Sequence, residues 1–341
     1  MPATSEKPLQ MDTRNLSEIY AAAQQEQGVL QVAYGGDERN QADQLAAAFS
    51  TAFPNVTVNF TVDLSKYHDG RINRAYLAGG LYADVAVLQT LQDFDVWKHE
   101  GRLMNYKPPG FDQLWTSLTD ANAAYLPVFA ASFGPFVFNT SLVLQADVPQ
   151  SYADVLLPKW KGKMILAYPN DDDAVLYLFT LIVQQYGWSW LDALIQQDVQ
   201  WVRGSATPVE LLAGGSNRTL SFTTFPLGPG WAYVPPASDR YMSWAQTSAI
   251  FAATKMPETA RLLQAFLVSE QWQSTAVQQG SPSVRKDIGD GNATIWNRDN
   301  TDFVKFHEFM LRRDVVEAWR FQFEDKLGTA QGLSPLIDAI Q

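Results

Sequence analysis

The chain has 341 residues, 46% of them apolar, with a formal net charge of -11 and no cysteine. Its length suits two cores rather than one. Its acidity argues against nucleic acid, whose phosphates need a basic patch. The lack of cysteine excludes disulfides, thiol nucleophiles and thiolate metal sites. No apolar run approaches the roughly 18 residues of a membrane span, so no membrane insertion is expected. Residues 1–8 carry no apolar targeting segment, which fits either a native start or a removed signal peptide.

The elements follow in chain order. Ser17 to Gln27 has helical spacing and stops at Gly28. Residues 29–34 (VLQVAY) form a short apolar strand of the buried parallel kind. Gly35-Gly36 breaks it, and Gln41 to Phe53 resumes a helix through Leu45, Phe49 and Phe53. Val56, Val58, Phe60 and Val62 then alternate with Thr57, Asn59 and Thr61, predicting a strand with one wetter face. A second such unit follows, with a helix over 70–78 and a strand over 83–88. Together they predict a doubly wound α/β lobe.

Residues 125–139 are an extended apolar run interrupted by Gly134-Pro135. Ser151 to Asp154 opens a short helix that Pro158 ends. Residues 163–168 predict a strand and 174–186 a long apolar helix, the start of a second α/β lobe. Single helices are expected over 257–277, with Pro257 at the start, and over 302–319. No low-complexity tether separates the lobes, so crossing strands are expected to join them.

Enzyme signatures are missing. There is no Gly-x-Ser-x-Gly elbow, no Gly-x-Gly-x-x-Gly and no phosphate loop, and only three His occur, at 68, 99 and 307. The candidate site residues cluster instead at strand-to-helix junctions, where open α/β sheets bind ligands. Tyr34, Gly36, Asp37 and Glu38 follow the first strand. There the glycines admit a ligand to the backbone, although the acids also suit helix capping. Gln89 and Thr90 end a later strand. Asp171, Asp172 and Asp173 precede the 174–186 helix, as cap or as ligand for an amine. Thr223, Thr224, Phe225 and Trp231 lie among Gly and Pro turns, where the aromatics serve equally as core or as stacking surface.

One pattern bears on compartment. Asn-x-Ser/Thr triplets begin at Asn15, Asn55, Asn59, Asn139, Asn217 and Asn292, more than composition leads one to expect. They suggest a glycoprotein of a eukaryotic secretory route.

Several segments together resemble the class 2 periplasmic-type solute-binding proteins of ABC importers, in the subgroup for ferric iron, thiamine, phosphonates or polyamines. They are LQVAYGGDERNQADQLAAAFSTAFPNVTVNF from Leu30, Ala83-Asp84-Val85, FVFNTSLV from Phe136, PQSYADVLLPKWKGKMILAYP from Pro149, MPETARLLQAFLVSEQWQ from Met256 and GSPSVRKDI from Gly280. The resemblance implies two α/β lobes with a central ligand cleft. Lobe 1 would comprise residues 17–126 and 247–341, and lobe 2 residues 127–246. Crossing segments near 125–133 and 241–251 would let the lobes close on a ligand.

Iron-binding members carry a His, a Glu and adjacent tyrosines at positions that here correspond to Glu38, Gln89 and residues 223–225. Ferric iron prefers anionic oxygen donors, and this chain lacks that set. The expectation is an extracellular or periplasmic monomer that captures a small polar organic solute, an amine-bearing one suiting the acidic loops. It would need no cofactor, bind no metal and carry no catalytic residue. An importer permease would be its partner in a bacterial host. The alternatives are a hydrolase or transferase of a small polar substrate on the same scaffold, and a ferric iron-binding protein.

Overall fold

A computed structural model describes residues 9–278, 280–289, 295–332, 334 and 336. The triplet at Asn292 and the segment 1–8 lie outside the described residues. The chain divides into two compact units: residues 1–36, 40–130 and 245–293, and residues 37–39, 131–244 and 294–341.

The first unit is built on the predicted βαβ pattern. Its elements are α1 (Leu16–Ala23), β1 (Leu30–Gly35), α2 (Asp43–Ala52), β2 (Val58–Asp63), α3 (Ser65–Leu77), β3 (Val85–Leu88) and α4 (Leu91–His99). The strands β4 (Leu126–Phe133) and β9 (Met242–Ile250) complete a five-stranded sheet in the order β2-β1-β3-β9-β4. β1 is parallel to both β2 and β3, while β9 runs antiparallel to β3. β1 is buried on both faces because helices cover both. Phe94, Trp97, Ile72, Ala86 and Phe251 pack in one cluster. In the other layer, Phe49 and Phe53 meet Phe266 of α8 (Pro257–Leu267) edge-on at 5.6 and 5.7 Å.

The chain leaves this unit within β4, between Ala130 and Ala131, and re-enters it within β9, between Trp244 and Ala245. These are the two segments that the resemblance marks as crossing.

The second unit carries β5 (Phe136–Asn139), β6 (Ile165–Ala167), α5 (Asp173–Tyr186), α6 (Trp188–Ile195), β7 (Gln200–Val202), α7 (Thr207–Ala213) and β8 (Trp231–Val234). β5 pairs antiparallel with β8, and β6 parallel with β7. Residues 220–221 join the two ladders, since Ser221 bridges Val137 and Leu220 bridges Met164. Phe179 of α5 stands at the core, within 6.0 Å of the rings of Trp190, Trp201, Phe222 and Phe323.

Three local readings differ from the structure. The 257–277 helix is two, α8 and α9 (Glu270–Gln278), because Ser269 interrupts it and its Oγ accepts from Trp272 N at 3.2 Å. The 302–319 helix is likewise α10 (Phe303–Leu311) and α11 (Arg313–Leu327), broken at Arg312. In place of a helix ended by Pro158, residues 154–156 form a 3₁₀ turn and Pro158 opens another, Pro158–Trp160, with the Asp154 carboxylate accepting from Gln150 N and Ser151 N.

The fourth difference is one of assignment. Residues 294–341, placed with lobe 1 by the resemblance, group with the second unit. The reason is packing on α5: Tyr177 meets Phe306 and Phe309, Trp188 meets Phe323, and Asp173 pairs with Arg313 and Arg320.

Candidate functional site

In the first unit, strand order reverses around β1, with β2 on one side and β3 on the other. The carboxyl ends of β1 and β3 therefore open at a topological switch point, where open α/β sheets place ligands. Tyr34 and Gly36 stand at the end of β1, and Gln89 and Thr90 just after β3, its parallel neighbour.

Four side chains that sequence reasoning passed over shape this place. Ser65 Oγ accepts from Gln89 N at 3.0 Å and leaves no room for a Cβ at Gly35, which would fall 2.1 Å from it. Gln246, on β9, donates from Nε2 to Gly35 O at 3.0 Å and Val87 O at 3.3 Å. His68, fully buried on α3, has Nε2 3.2 Å from Tyr34 O and Nδ1 3.3 Å from the Tyr82 hydroxyl. Burial pushes its imidazole below its ordinary value, so the neutral ring is favoured. Gln246 sits in β9 among Ser243, Thr247 and Ser248, so its type and spacing did not single it out, and Ser65, His68 and Tyr82 gave no signal either.

Tyr34 is half-buried and packs edge-on to Phe60 at 6.2 Å, and burial pushes its phenol up to about 12. Thr90 stands immediately before α4 but does not cap it. Its hydroxyl is buried with no hydrogen-bond partner in the protein. A buried hydroxyl without a partner costs stability unless something else satisfies it.

The second unit holds the remaining candidates. Asp37 and Glu38 belong to it. One oxygen of Asp37 accepts three bonds: from Ser205 N at 2.6 Å, Ser205 Oγ at 2.9 Å and Ala206 N at 3.1 Å. Glu38 is half-buried, and desolvation, Glu210 and Asp37 push its carboxyl up to about 7. Ser205 and Glu210 are further residues that no motif announced.

The acidic run is spoken for within the protein. Asp171 forms a two-point pair with Arg203, both contacts at 3.0 Å. Asp172 caps α5 by accepting from Ala174 N and Val175 N at 2.8 and 2.9 Å. Asp173 pairs with Arg313 and Arg320. Asp37 and Asp171 thus converge on one segment, residues 203–206 after β7.

Thr223 Oγ1 accepts from Ala167 N at 2.8 Å, holding the end of β6, while the Thr224 hydroxyl is buried and unpartnered. Phe225 is half-buried against Phe133 at 4.9 Å and Trp244 at 6.2 Å. Trp231 is half-buried in β8 opposite Asn139. Among the described residues, no group of three or more His, Cys, Asp or Glu is placed to hold a metal ion. No helix among them is long and apolar enough to cross a membrane.

Solved structures resemble the chain over most of its length. The substrate-binding protein of an ABC transporter from Agrobacterium tumefaciens matches with a TM-score of 0.70 and 18% identity, covering 87% of this chain and 95% of that one. The periplasmic binding protein AfuA from Actinobacillus pleuropneumoniae, with fructose-6-phosphate bound, gives 0.67 and 19%, covering 87% and 99%. Iron-bound HitA from Pseudomonas aeruginosa gives 0.66 and 14%, covering 87% and 99%. The fold is that of the class II periplasmic binding proteins. Two α/β units with mixed sheets are the mark of this class II fold. A family described as bacterial extracellular solute-binding protein matches residues 83–238, which run from the β3 segment of the first unit into the second. No curated protein matches the chain in sequence.

Proposed function

We propose that this chain is an exported, non-enzymatic solute-binding protein, each unit presenting its own set of ligand groups. The observation that carries the reading is that two of the buried hydroxyls without a partner fall among the predicted site residues, Thr90 just after β3 in the first unit and Thr224 just after the bridged residues 220–221 in the second. Class II fold and extracellular family support it. Tyr34, Gly36, Gln89 and Thr90 would serve from the first unit, and Asp37, Glu38, Thr223, Thr224 and Phe225 from the second. Asp172 and Asp173 are better explained by the cap and ion pairs they form.

Two cargoes follow from different observations. Ferric iron is favoured by the likeness to iron-bound HitA. Glu38 offers a hard oxygen donor for it, although residues 223–225 read Thr-Thr-Phe. A small polar organic solute is favoured by the hydroxyl and amide character of Gln89, Thr90 and Thr224, and by the sugar phosphate bound to AfuA.

Native mass spectrometry of gently purified protein, followed by thermal-shift titration with ferric citrate, sugar phosphates, amino acids and polyamines, separates them. Stabilisation by ferric ion alone establishes the iron reading, and stabilisation by an organic class establishes the other. A chain that neither co-purifies with nor is stabilised by any solute would overturn the binding function.

A further inference from the structure

We propose that Asn55 and Asn59 accept N-linked glycans in a eukaryotic secretory route, and that these glycans shield the edge strand β2. The inference is independent of which solute is bound.

β2 pairs with β1 on one side, and among the described residues no strand pairs with its other side. A free edge offers unpaired N–H and C=O groups to another chain, and proteins usually blunt it with charge, proline or a bulge. Here residues 55–62 read NVTVNFTV, without charge or proline, and are rich in β-branched side chains. That is the composition of a strand prone to self-association.

The alternation of the strand supplies another protection. Val56 is buried and Val58, Phe60 and Val62 are half-buried, whereas Asn55, Thr57, Asn59 and Thr61 are all exposed. A period of two places residues i and i+2 on one face. Each triplet, Asn55-Val56-Thr57 and Asn59-Phe60-Thr61, therefore turns its amide and its hydroxyl to solvent together. Asn59 Nδ2 donates to Gln31 Oε1 at 2.8 Å across the β1–β2 pair. A glycosylated amide keeps one N–H, enough to retain that bond.

The other described triplets differ. Asn15 is engaged in the capping box of α1. Asn139 is half-buried and accepts from both the backbone and the hydroxyl of Ser141, its own triplet serine. Asn217 is exposed but lies on no sheet edge.

The donor is a lipid-diphosphate-linked oligosaccharide. A bond forms between the Asn Nδ2 and the anomeric carbon as the bond from that carbon to the diphosphate oxygen breaks. The lipid diphosphate departs with the electron pair, and the amide proton passes to a base of the transferase. No oxidation or reduction occurs.

To test this, the full chain is sent through the yeast secretory pathway with an added signal peptide. The folded product is treated with peptide N-glycosidase in heavy-oxygen water and peptide-mapped. Each occupied Asn then appears as labelled Asp. The expected result is label at both Asn55 and Asn59, and aggregation about threefold faster or more once the glycans are removed from folded protein. Because the enzyme acts after folding, no variant has to fold for this readout. The double variant Asn55→Gln/Asn59→Gln should aggregate likewise, and Asn217→Gln should not. Absence of label at either position, or aggregation indifferent to removal of their glycans, would overturn the proposal.

Discussion

The side-chain amide of Gln246 donates to the carbonyl oxygen of Gly35 at 3.0 Å, from a β9 position that is itself buried. Through its second contact, to Val87 O, one side chain ties the last turns of β1 and β3 to the strand by which the chain re-enters the first unit. The backbone that carries the first unit's ligand loops is thus held by side chains from elsewhere in the sequence.

Gln246→Leu leaves those two carbonyls without that donor and is expected to cost roughly 1–3 kcal/mol. Gly35→Ala drives a Cβ against Ser65 Oγ and should cost a similar roughly 1–3 kcal/mol. Adding Ser65→Ala to Gly35→Ala should recover part of that loss, because the clashing oxygen is gone. Urea unfolding of the set checks this; strictly additive costs for the Gly35 and Ser65 changes would refute the close approach.

Glu38 should make the protein less stable as pH rises from about 4.5 to about 7. Its folded carboxyl holds the proton more tightly than the unfolded one, so the folded state binds more protons across that window. Glu38→Gln removes this dependence. The variant should gain about 1 kcal/mol over the wild type on the alkaline side, allowing for solvent screening. Parallel melting curves at both ends of the window test it, and identical pH slopes for the two proteins count against it.

His68 acts in the opposite sense. Its folded pKa lies below its unfolded one of about 6.5, so the unfolded chain takes up the proton first as pH falls. Its contribution is present above that value and is lost as pH drops through it toward the folded pKa. Desolvation dominates over the neighbouring Asp63, which favours the charged ring, and Arg71, which opposes it. His68→Gln should flatten the acid limb of the stability profile. Proton NMR of the imidazole gives a direct check, and a titration midpoint at or above the free value would contradict it.

Thr90→Val and Thr224→Val should weaken solute affinity about fivefold or more each, while stability stays within about 0.5 kcal/mol or rises. Neither hydroxyl has a protein partner to lose. Calorimetry with the solute identified by mass spectrometry measures the first part, and thermal melts the second. Unchanged affinity in both variants would remove these residues from the site.

The local elements were legible in the sequence because their signals are local. The β1-α2-β2 run and the Ala174 helix appear within one or two residues of their expected bounds, since hydrophobic period and Gly or Pro punctuation act over a few residues. The strand-end loops were also legible, because any parallel strand followed by a helix must place one there.

Engagement of those loops depended on tertiary structure. Asp172 and Asp173 look alike in the run Asp171-Asp172-Asp173, yet one caps α5 and the other binds Arg313 and Arg320 from about 140 residues away. Residues 294–341 have amphipathic helices that fit either unit; the aromatic face of α5 decides in favour of the second. Ser65, Gln246 and Ser205 carry no motif, because a single serine or glutamine acquires its role only when a distant backbone group is brought to its side. Sequence by itself determined the β1-α2-β2 run, the strand β3 and the α5 helix, together with the polar, acidic character of the loops at their ends. Only the tertiary structure decided which of those acids are tied up by cations and helix ends and which hydroxyls are left without a partner, since both depend on long-range neighbours that no local period encodes.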